Sequence, residues 1–352
     1  MQTQTSSFRP EADYTENNDT SPKFTVGSGA RALRLFSKFQ VLLVLVLIFI
    51  GGNVKSHEAG LSVPDWPTSF GYNMFTFPYE FWVGGIWHEH VHRLVASFLG
   101  LVTVVLATVV WFKNPRLRAL AIVMVVAVCV QGLLGGLTVI MQLPAWTSSA
   151  HGMMAQAFLC MSVALAFLIH HASSNSSDLN KSGSKSVPSS PTTRKAALVL
   201  LCALFIQLGF GAFVRHTEAG LAVLDFPTVA GSYIPSVSDQ TLITLNTARV
   251  AESLPRVERL QVSLHLLHRY WALFVVGAVI LLLMKAVRSG DKFLRGYGWG
   301  LIAMTCVQVA LGISVVLTRR IILPTSLHVV LGALMIALTF LILMRARGVR
   351  AQ

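Results

Sequence analysis

Four histidines, His92, His151, His268 and His328, stand at matching places in two copies of one sequence pattern. Neutral imidazole is a good ligand for heme iron, and two imidazoles from neighbouring helices can take both axial positions. A flat apolar macrocycle fits between the helices of a four-helix unit, so one bis-histidine heme per copy accounts for all four residues. Each histidine falls at one end of an apolar run, and a polar side chain at membrane depth is costly enough to imply function. Singly, each is also compatible with an inert interfacial residue. Four in register across a repeat favour ligation.

Glu89 precedes His92 in E-x-x-H-R, a spacing that puts both side chains on one helix face about 4.5 Å apart along the axis. The second copy carries His265 instead. A carboxylate beside one heme can take a proton or stabilise a developing cation. The other copy lacks that group and suits electron transfer. The alternative is that Glu89 only pairs with Arg93 or Lys55. Arg93 and Arg269 directly follow the ligands and have two open readings: forks that hold heme propionates, or snorkelling anchors at the interface. His57, His88, His90 and His216 lie in or beside loops at the same end, and His170 and His171 lie at the far end of the fourth span.

The elements that must position these residues are membrane helices. Charged residues make up 12% of the 352 positions and apolar ones 54%, against about 25% charged in a soluble domain, so an ordinary soluble globule is excluded. Mean hydropathy is +0.64. Apolar runs long enough to cross roughly 30 Å of hydrocarbon predict eight spans, near 37–54, 91–112, 118–140, 150–171, 196–214, 266–286, 297–318 and 326–344. The fold class is therefore an all-α integral membrane protein in contact with the lipid bilayer. The polar stretch 1–36 is expected to be a disordered cytoplasmic N-terminus without a secretory leader. The Ser-rich stretch 173–195 is expected to be a cytoplasmic linker, between a four-helix half at 37–172 and another at 196–346, with a cytoplasmic tail at 347–352.

The net charge of +13 invites a nucleic-acid reading, but the Lys and Arg residues collect before span one, between spans two and three, in the linker, between spans six and seven, and in the tail, with Arg319, Arg320 and the long loop between spans five and six as exceptions. That distribution sets orientation, with both termini cytoplasmic, and no nucleic-acid partner is expected. Cys129, Cys160, Cys202 and Cys306 all lie in apolar runs and read as small buried hydrophobes.

The repeat extends well beyond the histidines. GGNVKSHEAGLSVPDWPT at 51–68 and GAFVRHTEAGLAVLDFPT at 211–228 agree at 10 of 18 positions. EHVHR at 89–93 answers HLLHR at 265–269, and VQGLLGGLTV at 130–139 answers VQVALGISVV at 307–316. Leu143-Pro144 before His151 answers Leu323-Pro324 before His328. Two halves of four spans each share one orientation and should be related by a pseudo-twofold axis along the membrane normal. Asp65 and Asp225 are expected to cap turns in the EAGLxVxDxPT loops, which either fold as lids over heme pockets, with Trp66 and Phe226 buried, or form plain loops. Gly132, Gly135 and Gly136 permit close approach of a helix or a porphyrin face.

These motifs, in this order and twice over, resemble heme A synthase across nearly the whole chain after residue 37. The resemblance implies an enzyme that oxidises the C8 methyl of heme O to a formyl group for cytochrome c oxidase. It further implies that the N-terminal half holds the heme O substrate between His92 and His151 with Glu89 catalytic, and that the C-terminal half holds a permanent heme b between His268 and His328. The heme O synthase that supplies the substrate becomes a candidate partner, an electron donor or acceptor of unidentified type is required, and homo-oligomerisation stays open. Many bacterial members carry a cysteine pair near the D-W-P motif; here Val63 and Ser69 occupy that region, so a loop disulfide plays no part. Two successive hydroxylations to a gem-diol that loses water, or electron abstraction followed by water attack, both fit the residues.

Two other classes compete. A di-heme b-type cytochrome taking electrons from quinol needs the same four histidines but not Glu89. A repeat-built transporter needs polar groups near the bilayer midplane, whereas the polar residues here gather at the ends of the spans.

Overall fold

The computed structural model describes residues 28–178, 190–233 and 236–348. Of the expected disordered N-terminus 1–36, residues 1–27 lie outside the described residues and 28–36 are helical. Of the expected linker 173–195, residues 179–189 lie outside them, and 173–178 and 191–195 are helical. Residues 349–352 of the tail also lie outside. Among the described residues the chain is helical, and eight helices are long and apolar enough to cross a membrane. They are α1 (Ser28–Ser56), α2 (Gly84–Lys113), α3 (Arg118–Ile140), α4 (Ala145–Asp178), α5 (Pro191–His216), α7 (Arg259–Arg288), α8 (Lys292–Leu317) and α9 (Ile322–Ala346); the short α6 (Asp239–Ala251) lies in the loop before α7.

The helix-forming pattern is plain hydrophobicity, sharpened at the ends by caps. Asp291 accepts N–H bonds from Phe293 and Leu294 at the start of α8, Glu258 and Gln261 form a reciprocal capping box on α7, and Pro191 opens α5. α2 starts at Gly84 rather than 91, and α7 at Arg259 rather than 266. A hydropathy window reports hydrocarbon thickness, not helix length. The polar turns that carry Glu89 and His265 are therefore inside their helices.

Two cores form. Leu43, Val44, Leu99, Leu106, Met124 and Leu159 unite α1–α4, and Leu200, Val279, Leu282, Leu301, Met335 and Ile336 unite α5, α7, α8 and α9. Ala333 of α9 joins the first core and Cys160 of α4 the second, so α1–α9, α4–α5 and α4–α9 contacts weld the halves. Leu42, Leu101, Phe112 and Leu273 face outward, which suits lipid-facing helix surfaces whose backbone bonds are internally satisfied.

The weld is polar at the end where α1 and α5 finish. Arg215 of α5 donates to the Gly52 carbonyl at 2.6 Å and to Ser56 Oγ at 2.8 Å, both on α1. Its repeat equivalent Lys55, on α1, reaches the other way to Glu218. Arg320 also binds Glu218, at 2.6 Å. Burial alone would raise the Glu218 carboxyl, but the hydrogen bonds from Lys55 and Arg320 outweigh it and hold the group below its ordinary pKa.

Several corners recur in both halves. Phe70-Gly71 and Ala230-Gly231 take left-handed conformations in matching tight turns, and Gln142-Leu143 and Arg319-Arg320 do so between the last two helices of each half. The latter pairs each end eight residues before a histidine, His151 or His328, so Leu143 corresponds to Arg320 and the Leu-Pro pairs of the sequence are three residues out of register. A matching pair of backbone bonds, from the Leu143 N–H to the Thr138 carbonyl and from the Arg320 N–H to the Val315 carbonyl, sets this corner rather than the Leu-Pro dipeptide.

Candidate functional site

Each half is built from helices that alternate in direction, and the four histidines sit near the start of α2, α4, α7 and α9. All four therefore gather at one end of the molecule, beside the long loops. Each imidazole packs against a glycine on the preceding long helix. A Cβ at Gly51 on α1 would come 3.0 Å from Cε1 of His92, and one at Gly135 on α3 would come 3.0 Å from Cε1 of His151. The same holds in the second half, where a Cβ at Gly211 on α5 would come 2.9 Å from Cε1 of His268 and one at Gly312 on α8 would come 3.2 Å from Cε1 of His328. Contacts under about 3.4 Å would push the ring, so only glycine lets it sit this deep. Gly136 serves the lid instead, because a Cβ there would enter Trp66. Gly132 borders open space.

The rings have capacity to spare. Nδ1 of His92, His151 and His328 is buried without a hydrogen-bond partner, and such orphaned groups ask for an explanation such as an ion. The His268 and His328 ring centroids stand 6.4 Å apart, leaving room for one metal between two imidazoles at bonds of about 2 Å each. Among the described residues no group of three or more His, Cys, Asp or Glu could hold a bare metal ion. Paired imidazoles suit an iron whose remaining ligands come from a macrocycle. The donor set fits heme.

Three glutamines, which the motif reading passed over, accompany the histidines. Gln131 Nε2 donates to the His151 carbonyl at 3.1 Å, Gln207 to the His268 carbonyl at 3.0 Å, and Gln308 to the His328 carbonyl at 3.0 Å. Gln207 Nε2 also lies 3.1 Å from Nδ1 of His268. The available signal was a Gln-x-x-x-Gly spacing present on α3, α5 and α8.

Glu89 and His265 occupy the same socket. Glu89 Oε2 accepts the Val63 N–H at 2.8 Å, and Oε1 accepts from Arg93 at 2.6 Å. His265 Nδ1 faces the Val223 N–H at 3.3 Å, and Nε2 faces Arg269 Nε at 3.1 Å. A carboxylate can accept both bonds. A neutral imidazole has one acceptor nitrogen, so one of the two contacts in the second half is unfulfilled. The Glu89–Arg93 pair is electrically neutral and nearly sealed, at 4% and 8% exposure.

Arg93 and Arg269 both reach the loop that precedes their helix. Arg93 Nη1 donates to the Asp65 and Thr68 carbonyls at 2.7 and 3.0 Å, and Nη2 to the Val63 carbonyl at 2.8 Å. Arg269 binds the Asp225 and Val223 carbonyls at 2.9 and 3.1 Å. Both guanidiniums bind loop backbone through their terminal nitrogens, while Nε of Arg93 and one Nη2 hydrogen of Arg269 make no hydrogen bond among the described residues. Asp65 and Asp225 do cap turns, accepting from Thr68, Phe70 and Gly71 in the first loop and from Thr228, Ala230 and Gly231 in the second. Burial tends to raise the Asp65 carboxyl, yet the Gly71 N–H, the Thr68 hydroxyl and the Phe70 N–H bring it below its ordinary pKa. The loops are thus pinned over the histidine end. Trp66 is half-buried against Gly136, whereas Phe226 is 42% exposed under the Arg269 guanidinium. The second loop is tied instead by α6, whose terminal Glu252 takes two bonds from Arg319.

Of the remaining histidines, His216 at the end of α5 lies within electrostatic reach of His151. His57 and His88 stack on each other with centroids 3.9 Å apart, and His90 is sealed beneath Phe77 and Trp82 with Ser69 at 3.3 Å. His170 and His171 meet at the opposite end of α4.

Comparison with known proteins adds a family. The profile of the family COX15-CtaA, described as cytochrome oxidase assembly protein, matches residues 34–340. The chain is 24% identical over 330 residues to the heme A synthase of Halalkalibacterium halodurans, covering 90% of this chain and 98% of that one. It is 25% identical over 335 residues to the heme A synthase of Sphingopyxis alaskensis, covering 85% and 87% of the two chains. With the heme A synthase of Shouchella clausii the identity is 26% over 324 residues, at 90% and 95% coverage.

Proposed function

From the premise that the chain belongs to the COX15-CtaA family of cytochrome oxidase assembly proteins, we propose that it is a heme A synthase, an integral membrane enzyme converting heme O to heme A by oxidising the C8 methyl to a formyl group. The observation that carries this reading is the shared socket beside the paired histidines, filled by Glu89 in one half and by His265 in the other. The half with the carboxylate, at 37–172, is the oxidising one, where His92 and His151 hold the substrate. The half at 196–346 keeps a resident heme b on His268 and His328. That heme, when bound, supplies one-electron transfer. Oxidation of a methyl group releases protons as well as electrons, and Glu89 is the group placed to take a proton beside His92. Arg93 holds Glu89 in place and shuts the loop from Val63 to Thr68 over it, which keeps bulk water from the carboxylate. Arg269 pins the second loop in the same way, so both arginines hold the lids.

Two halves in one orientation, related by a pseudo-twofold axis along the membrane normal, account for the repeated corners and glycine contacts. The Lys and Arg distribution puts both termini in the cytoplasm and the histidines toward the outer face of a bacterial cytoplasmic membrane. Reporter fusions after Ser176 and after Ala351 are both expected to report cytoplasm; a signal from the opposite side at either position would overturn the eight-span orientation. For the reaction, cells making heme O and expressing this chain are expected to contain heme A on reversed-phase separation of extracted hemes. A pigmented protein whose cells yield no heme A would favour the di-heme cytochrome, and a colourless one would exclude both.

A further inference from the structure

Between the turn capped by Asp65 and the first turn of α2, residues 70–87 carry eight aromatic side chains and a single charge, Glu80. Six of the eight, Phe70, Tyr72, Phe75, Tyr79, Phe81 and Trp87, are 46–76% exposed. They form one pad. Phe77 is buried, and Phe70, Tyr72 and Phe81 rest on it with ring centroids 5.8–5.9 Å away. Trp82 meets Trp87 at 5.8 Å. A continuous exposed apolar patch of this kind marks an interaction site. The matching stretch of the second loop, 230–258, holds five charged residues and one aromatic, Tyr233, so the pad belongs to the first half alone.

Helix α2 identifies what covers it. Trp87, Phe98, Leu101, Val105 and Phe112 are all exposed, and the helical repeat places them within about 60° of one another, as one lipid-facing stripe. From Trp87 to Phe112 the stripe runs about 37 Å at 1.5 Å per residue. A hydrocarbon core of roughly 30 Å leaves its two ends in opposite headgroup zones, where Trp and Tyr gather. At the far end Trp111 is exposed, with the Arg118 guanidinium 5.0 Å from the centre of its ring. At the near end stand Trp87 and, in the first turn of α4, the exposed Trp146. The pad continues the stripe through the Trp82–Trp87 contact. It is also tied to the lid and its carboxylate. Phe77 and Trp82 enclose the ring of His90, at 5.0 and 4.6 Å, directly after Glu89. Ser69 Oγ stands 3.3 Å from His90 Nδ1, and the Ser69 backbone pairs with that of Tyr72.

We propose that the exposed face of the first loop is a lipid-contact surface seated in the headgroup zone at the histidine end, so that the bilayer itself holds down the lid over Glu89. The second loop has no such seat and is held by the Glu252–Arg319 ion pair instead. The proposal rests on the membrane-spanning character of α2 and not on the heme ligands.

The test places a nitroxide label at single cysteines of the full-length protein in phosphatidylcholine–phosphatidylglycerol vesicles, with Cys129, Cys160, Cys202 and Cys306 changed to Ala. Phe75→Cys, Tyr79→Cys and Phe81→Cys sample the pad, Leu101→Cys the hydrocarbon and Arg256→Cys the water. Collisions with oxygen, which concentrates in lipid, are compared with collisions with a water-soluble nickel chelate. The pad labels are expected to lose most of the nickel collisions seen at Arg256→Cys while keeping those with oxygen. Nickel collisions at the Arg256→Cys level would overturn the proposal. Shielding from both reagents would show a second copy seated on the pad and would equally overturn it. Should the cysteine-free chain fail to fold, the difference in tryptophan fluorescence between wild type and the Trp82→Phe, Trp87→Phe double variant reports the same surface. That difference is expected to be quenched more by lipids brominated near the headgroup than by aqueous iodide, and the reverse order would overturn the proposal by itself.

Discussion

Replacing Glu89 by Gln is expected to leave a folded protein that retains its C-terminal heme b and accumulates heme O, or a hydroxylated intermediate, in place of heme A. Losing proton-transfer or electrostatic help of this kind typically slows a step by about 10²–10⁴-fold. The choice of variant follows from the socket. Alanine would strand the Arg93 guanidinium and the Val63 N–H, and breaking a buried ion pair by removing one partner costs about 3–5 kcal/mol, so loss of activity would be confounded with loss of fold. Glutamine keeps the shape and one acceptor oxygen. Glu89→His goes further, because it installs the side chain that the second half already accommodates between Val223 and Arg269. Both variants should be inactive and heme-replete. The measurement is reversed-phase separation of extracted hemes from cells that make heme O, at matched protein level. A wild-type yield of heme A from either variant would reduce Glu89 to a partner of Arg93.

Removing one histidine of the proposed C-terminal heme site should be equally decisive. With two imidazoles on the iron no axial position is open, so the purified protein is expected to show a low-spin b-type spectrum. His268→Ala or His328→Ala should abolish most of that signal, since each ring is seated against its glycine and nothing else in the described structure replaces it. His268→Met offers a ligand of different softness and should shift the spectrum rather than restore it. A full, unshifted spectrum in both alanine variants would refute the C-terminal site.

The histidines and Glu89 were legible in the sequence because the chain is written twice. Register between the copies converts isolated polar residues into paired ones, and the exchange of Glu89 for His265 stands out against that register. What stayed illegible depended on tertiary contact. Arg93 directly follows His92, which suggests a propionate clamp, but only the folded loop reveals that its two terminal nitrogens bind three carbonyls and Glu89. Gln131 lay inside a quoted motif without a role, since its partner is a backbone carbonyl on the next helix. Phe226 read as buried because its counterpart Trp66 looked so, yet α6 and its ion pair with Arg319 close the second loop by other means. The Leu-Pro pairs misled by likeness of letters, and backbone conformation at Gln142-Leu143 and Arg319-Arg320 gives the true correspondence. Helix starts were missed because hydropathy ends where the hydrocarbon does.

Lys55 and Arg215 occupy equivalent positions and cross the seam in opposite directions, each ending on the other half. Gene duplication ordinarily frees two copies to diverge, but these copies hold each other's parts. The carbonyl that Arg215 grips belongs to Gly52, one residue from the notch that seats His92. A mutation fixed in one copy is therefore felt as a constraint in its sister, and natural selection acts on the seam as a single inherited unit. Chimeras that graft one half onto a distant relative's other half would have to carry both crossing cations and their acceptors together, and neither half by itself is a minimal enzyme from which the other can be subtracted.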